Sequence, residues 1–335
     1  MNMLRKGARF AGQTAAVTAI GEEEAGQRID NFLVRVLKGV PKSHIYRLLR
    51  TGQVRVNSGR VDATYRLRAD DRVRLPPVRM AMPPAKPDVQ RPAPPRLSLH
   101  VLHEDDALLV IDKPSGIAVH GGSGISQGVI ERLRAERPEL RFLELVHRLD
   151  RETSGVLLLA KKRSALTGLH ARIRAGDMQK WYWVMVYGKW TDAKRNVRLP
   201  LYKFVTAEGE RRVSVSEDGL AAHTVFRLIE NRGDYSMLEA QLMTGRTHQI
   251  RVHLAHLGFP ILGDDKYGDF ALNKRLQREG LKRMFLHAAR VEFEHPATKR
   301  TMRLEAPLAA DLQRFAEHFP QTQPATTSIR DGQTV

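Results

Sequence analysis

The chain contains no cysteine. That absence excludes disulfides, thiolate nucleophiles, iron–sulfur clusters and cysteine-bound zinc. It fits a reducing compartment, and the expected location is the cytoplasm. Apolar runs are short: stretches such as Val156–Ala160 fall far below the roughly 20 residues a membrane helix needs, so no membrane partner is expected. Arg5, Lys6 and Arg9 are followed by Gln13 and Thr14, a poor secretory segment. Acids are scarce relative to bases. The 335 residues hold 55 Lys and Arg against 37 Asp and Glu, a net charge of +18. Such an excess points to a polyanion, either nucleic acid or an anionic membrane surface. Hydrophobic residues make up 42%, enough for a core in one large domain or two unequal ones.

Residues 21–80 read as a compact unit. Ile29, Phe32, Leu33, Val36 and Leu37 recur at helical spacing, and Gly39-Val40-Pro41 stops that helix. Ser43 looks like the N-cap of a second helix, with Ile45, Leu48 and Leu49 inward and Lys42, His44, Arg47 and Arg50 outward. A strand through Val54 and Val56, a turn at Asn57-Ser58-Gly59 and a strand through Val73 and Leu75 follow. Residues 29–80 carry 12 Lys and Arg against 4 Asp and Glu, a net +8 concentrated on one small module. Lys42, Arg47, Arg50, Arg55 and Asn57 are its candidate nucleic-acid contacts. Residues 1–20 show no period and are expected to form a flexible arm. Six prolines make residues 81–97 an extended linker, and residues 321–335 read as a disordered tail.

Residues 98–320 read as a mixed α+β domain with long, mainly antiparallel strands. Strands are expected at Leu108–Ile111, Val156–Ala160, Trp181–Tyr187, Thr224–Leu228 and Ser236–Leu242, and helices at 125–134, Ser164–Arg174 and Thr247–His256. Two polar clusters interrupt apolar stretches, which is costly unless their groups are paired or functional. The first is His147-Arg148-Leu149-Asp150-Arg151-Glu152-Thr153-Ser154-Gly155. Flanking Arg148 and Arg151 favour the ionised form of Asp150, which then suits a nucleophile, a base or a structural turn. The second runs from Thr244 to His253. An inward-facing Arg251 needs a buried acid, and Asp150 is a candidate. His248, His253 and His256 lack the spacing of a zinc helix, and no metal is expected. His120-Gly121-Gly122-Ser123-Gly124 lacks the phosphate-loop ending and reads as a flexible loop near substrate.

Four pieces then align with a known pattern: HRLDRETSGVLLLAKK, Asp112-Lys113-Pro114-Ser115-Gly116, the strand Lys180-Trp181-Tyr182, and TGRTHQIRVHLAHLGFPILGDDKYG. In this order they resemble the signature of the large-subunit RNA pseudouridine synthase family, over most of residues 98–306. Residues 21–80 resemble the small alpha-L RNA-binding domain. The resemblance implies a cofactor-free isomerase of uridines in 23S ribosomal RNA, acting on free rRNA or an assembling large subunit, as a monomer. By the motif, Asp150 is the catalytic aspartate, Tyr182 stacks on the flipped uracil, and Arg251 pairs with the aspartate. Arg148 is a candidate to fill the gap left by the flipped base, with Arg246 and His248 as further substrate contacts. Trp181 and Trp183 face the other way and fit a core role. A non-catalytic rRNA-binding or ribosome-assembly factor on the same fold is the alternative, and a hydrolytic nucleosidase a third.

Overall fold

The computed structural model describes residues 15–21, 24–37, 39–78, 99–121 and 127–319. The expected arm up to residue 14, the linker, the tail and the loop residues 122–124 lie outside these. The chain separates into two compact units, residues 1–95 and 96–335.

The first unit contains β1 (Ala16–Ala19), α1 (Ile29–Val36), α2 (Lys42–Arg50), β2 (Arg55–Val56) and β3 (Arg72–Leu75). The strands form an antiparallel sheet in the order β1-β3-β2. Ile29, Phe32 and Leu33 of α1 and Ile45, Leu48 and Leu49 of α2 share one core with Val54, Val56, Val73 and Leu75. Two sequence readings are corrected here. The segment read as an arm includes β1, whose side chains are at most half-buried. It joins the sheet through backbone pairing to β3, which leaves no hydrophobic period to read. Ser43 is not a cap: α2 starts at Lys42 directly after Pro41, and Ser43 lies within its first turn. Asn57, exposed just after β2, is tied into the turn by its own side-chain amide. It takes a left-handed φ of 48°, its Nδ2 donates to Asp71 at 2.8 Å, and its Oδ1 accepts the Arg72 amide at 2.8 Å. Its role is to close the β2–β3 connection.

The second unit runs β4 (His100–Glu104), β5 (Leu108–Lys113), α3 (Val129–Glu136), β6 (Glu144–Leu145), β7 (Ser154–Ala160), α4 (Arg163–Ala175), β8 (Gln179–Tyr187), β9 (Lys194–Val197), β10 (Leu201–Val205), β11 (Arg211–Val215), β12 (Thr224–Arg232), β13 (Tyr235–Leu242), α5 (Gln249–His256), α6 (Phe270–Arg278), β14 (Leu286–Glu294), β15 (Thr301–Glu305) and α7 (Ala310–His318). Ten strands form one sheet, in the order β4-β5-β7-β14-β8-β13-β12-β9, with β15 added to β14 and β6 to β7. Every pair is antiparallel except β7 with β14. The expected α+β class and mainly antiparallel sheet are therefore present. β10 and β11 form a separate hairpin.

Both faces of the central strands are covered, so these strands read as unbroken apolar runs. In β5, Leu109 and Ile111 pack with α3 and α5 on one face, while Leu108 and Val110 pack with α4 on the other. β8 divides likewise: Tyr182, Val184 and Val186 join the first face, and Trp183 and Met185 join a cluster with α6 and α7. α3 starts at Val129 rather than 125, because the Glu131 side chain folds back to accept the Gly128 amide at 2.8 Å. Gly155 sets how closely β7 and β14 approach. Its φ is +106°, and an added Cβ would stand 2.2 Å from the Ala288 oxygen.

Two histidines, one buried and one half-buried, make this fold sensitive to acid. His287 is fully buried, bonded to Ser154 Oγ at 2.8 Å and to the Ala306 carbonyl, and burial pulls it down to about 4. His147 accepts the Leu158 amide through Nε2, and burial pulls it down to about 3. Both folded values lie below the unfolded value of about 6.5. The unfolded chain therefore binds more protons below that pH, and stability present above it is lost on acidification. Each histidine contributes up to about 1.4 kcal/mol per pH unit in that window. Thermal melting at pH 5 should fall well below that at pH 7, and equal melting temperatures would contradict the assignment.

Candidate active site

Asp150 sits on the loop that enters β7, and the Asp112–Gly116 segment, which ends β5 and continues past it, holds that loop. Lys113 is fully buried, and its ammonium donates to the carbonyls of Pro114, Ile117 and Arg151 at 2.7, 2.9 and 3.1 Å. Burial pulls its pKa down to about 8, and the three carbonyls solvate the charge that remains. The Gly116 amide also donates to the Arg151 carbonyl, and Ser115 Oγ donates to the Glu152 carbonyl. The peptide following Asp150 is thus tied down from both sides.

The expected flanking cations do not hold Asp150. Arg151 pairs with Glu152 at 2.8 Å, and Arg148 is exposed with no ion pair to any described residue. The cation at Asp150 is Arg251, whose Nη1 donates to Asp150 Oδ2 at 3.2 Å. Arg251 is itself gripped by an acid that the sequence reading missed. Its Nε and Nη2 donate to the two carboxylate oxygens of buried Asp264 at 2.8 and 2.7 Å, a fork geometry. Asp264 also accepts the amides of Lys266 and Tyr267, and the Tyr267 ring lies 5.1 Å from the guanidinium carbon. These contacts hold the Asp264 carboxyl below its ordinary value against its burial and hold the Arg251 guanidinium above its own. Arg251 therefore reaches Asp150 as a fixed, permanently charged donor.

α5 begins at Gln249, not at Thr247, so Thr247 and Arg251 do not share a helical face. His248 precedes it in a left-handed conformation, φ 53°. Its Nδ1 pairs with the Tyr267 hydroxyl at 2.8 Å, and its Nε2 lies 3.9 Å from Asp150 Oδ2. Burial holds His248 below its ordinary pKa, against the opposing charge of Asp150. Gln249 closes the preceding loop: its Oε1 accepts from Thr244 Oγ1 and the Arg246 amide, and its Nε2 donates to the His223 carbonyl and Thr224 Oγ1. Arg246 is exposed, with Nε donating to the Ala221 carbonyl. His253 turns away into the core, where its ring nitrogens meet Thr224 Oγ1 and the Leu199 carbonyl. Among the described residues no three His, Asp or Glu side chains are placed to hold a metal ion.

These pieces border one cavity of about 730 Å³, lined by Arg148, Asp150, Lys180, Tyr182, Arg246, His248 and Arg251 among others. Its volume suits a nucleotide. The Tyr182 hydroxyl is pushed above its ordinary value by burial and then by the charge of Asp150, so it stays a neutral phenol at physiological pH. On the opposite face of β8, Trp181 lies beneath Arg290 at 4.1 Å and Trp183 stacks on His287. The cavity brings together Arg148, Asp150, Tyr182, Arg246, His248 and Arg251. Lys42, Arg47 and Arg50 lie on α2 of the other unit, exposed. Exposed Arg55, on β2, bends its Nε to the Gly52 carbonyl at 3.1 Å.

Residues 107–256 match the family model described as RNA pseudouridylate synthase, and residues 27–73 match that of the S4 domain. A relative from Salmonella typhi, "Ribosomal large subunit pseudouridine synthase C", is 52% identical over 306 residues, covering 90% of this chain and 95% of that protein. The chain belongs to the RNA pseudouridylate synthase family. Proteins of the same name from Pasteurella multocida (51% identity over 313 residues, 93% of this chain and 96% of that one) and Escherichia coli strain K12 (52% over 303 residues, 89% and 94%) agree. Among solved structures, Human RNA Pseudouridylate Synthase Domain Containing 4 superposes with a TM-score of 0.54 at 26% identity, over 65% of this chain and 92% of that one. Asp150, Tyr182 and Arg251 all fall within the span that matches the pseudouridylate synthase family model.

Proposed function

We propose that this pseudouridylate synthase converts specific uridines of large-subunit (23S) ribosomal RNA to pseudouridine, with Asp150 as the reacting carboxylate and no cofactor. The observation that carries the reading is the ordered chain Asp264–Arg251–Asp150 at a nucleotide-sized cavity beside Tyr182. The substrate class is carried by the names of the curated relatives.

The reaction breaks the bond from C1′ to N1 of uracil and forms one from C1′ to C5. The hydrogen lost from C5 is replaced by one taken up at N1, so mass is unchanged. A uridine in folded RNA must leave its stack before a carboxylate can reach its ribose. Tyr182 offers an aromatic surface worth roughly 1–3 kcal/mol to such a base. Its hydroxyl, held protonated, donates a hydrogen bond and does not serve as a base. Arg251 fixes the Asp150 rotamer so that one oxygen is held and the other is free to act at the sugar. Arg148, exposed, lining the cavity and without an ion pair to any described residue, fits the space vacated by the base. Lys42, Arg47 and Arg50 on α2 supply phosphate contacts from the S4 unit.

The test is to map pseudouridine in ribosomal RNA from cells with and without the gene, together with intact mass of RNA treated in vitro. The expected result is loss of one or more pseudouridines in 23S RNA and, in vitro, new pseudouridine with no mass change. A full set of modifications in the deletion strain would overturn the substrate assignment. Loss of a base would mean hydrolysis, and unaltered RNA would leave a binding protein.

A further inference from the structure

The mechanism above leaves a half-buried cation in the cavity unused. Lys180 stands two residues before Tyr182 on β8, so the two side chains leave the same face of the strand, about 7 Å apart. It lines the cavity and is half-buried, yet its ammonium makes no hydrogen bond or ion pair with any described residue. Burial accordingly holds it below its ordinary pKa, with no opposing partner. Lys113, also buried, has three carbonyls for the same purpose. The surroundings of Lys180 offer no anion. Among the cavity-lining residues Asp150 is the one carboxylate, and it is engaged with Arg251. His147, beside Lys180, is neutral, and the charge of Lys180 helps keep it so. The loop opposite carries Gly245, where an added Cβ would stand 3.7 Å from Nζ, so glycine leaves the space next to the ammonium open.

We propose that Lys180 binds a non-bridging oxygen of the phosphate adjoining the flipped uridine, fixing the nucleotide's backbone while Tyr182 holds its base. The proposal rests on the reading of the cavity as a uridine site. A uracil carbonyl would leave the ammonium's charge uncompensated in a partly desolvated site, whereas the phosphodiester is the one anion a ribonucleotide brings. The step along β8 from Tyr182 to Lys180 matches a ribose placed between base and phosphate. Lys180 is then a substrate-binding residue that discriminates an RNA strand from free uracil or uridine, which lack the phosphate.

The test uses the full chain and a synthetic RNA containing a mapped target uridine, with a neutral methylphosphonate placed at its 5′ or its 3′ phosphate. For the unaltered protein, one of the two substitutions should lower kcat/KM by about 10- to 100-fold. Lys180→Met should show a loss of similar size on ordinary RNA and no further loss with that methylphosphonate. Lys180→Arg should recover most of the activity. Lys180→Met should melt at the same temperature or higher, since an unpaired buried charge is removed. Equal methylphosphonate penalties in Lys180→Met and the unaltered protein would overturn the proposal, as would a lowered melting temperature, which would reveal a structural partner. If the unaltered protein makes no pseudouridine in ordinary RNA, the reading of the site fails instead, whatever Lys180 does.

Discussion

Asp150→Asn should bind 23S RNA within a few-fold of the unaltered protein and form no pseudouridine. Asparagine keeps the shape of the side chain, and its amide oxygen can still accept from Arg251 Nη1, which now lies 3.2 Å from Asp150 Oδ2. What it loses is the negative charge and the oxygen able to attack or deprotonate the sugar. Removing a reacting group of this kind costs about 10⁴-fold or more in turnover. RNA labelled with tritium at uracil C5 reports the reaction directly, because that hydrogen is released when C5 bonds to the ribose. Binding, followed separately by gel shift, should persist. Tritium release above about one hundredth of the normal rate would mean that another group carries the chemistry. Retained binding also distinguishes this result from misfolding.

The second large effect should come from Asp264, which touches no substrate. Asp264→Ala removes both acceptors of the Arg251 fork and leaves a guanidinium that is 8% exposed facing only Asp150 and the exposed Asp265, 3.6 Å from Nη2. Breaking a buried pair by deleting one partner costs about 3–5 kcal/mol. In a unit of this size that is a melting drop on the order of 10 °C. Asp264→Asn separates positioning from stability. Its remaining oxygen can still accept the Lys266 and Tyr267 amides, which lie 2.9 and 3.0 Å from Asp264 Oδ1, but it cannot serve both Nε and Nη2 of Arg251 as an anion. Assayed well below its melting temperature, it should lose kcat by about 10²-fold with KM little changed, since 1 Å of misplacement at a reacting group costs that much. A rise in KM with kcat intact would show that Asp264 serves substrate binding and not the orientation of Asp150.

The difference between Asp150 and Asp264 shows what the sequence could reveal. Asp150 stands among polar residues between two apolar runs, and that contrast marks it. Asp264 shows no such contrast, and its task appears only when the Arg251 fork closes on it. Arg148 and Arg151 flank Asp150 in the chain, but Arg151 lies in a turn and pairs with Glu152. The partner is Arg251, 101 residues away, to which the need of an inward-facing arginine for an acid already points. The buried strands β5, β7 and β8 were legible because both their faces are covered. β10, β11 and β15 were not: β10 leaves four of its five residues exposed, and β11 and β15 mix polar or charged residues with half-buried ones, as a loop does. The start of α5 was misplaced for a local reason: Gln249 spends its side chain on the loop before the helix, and His248 takes a conformation no spacing rule anticipates.

The strand order also dictates a timetable for manufacture. β14 lies between β7 and β8, yet among the described strands it is the last but one in chain order. Until Leu286–Glu294 is available, β7 and β8 have unfilled edges, and the loop carrying Asp150 has no fixed relation to Tyr182. Asp264 and Arg251 are synthesised earlier but have nothing to align. Non-local pairing of this sort is slow and comes late. The nascent chain therefore emerges with its small basic unit complete and its chemistry unassembled, and a modifying enzyme made beside ribosomal RNA remains inert until β14 has been translated.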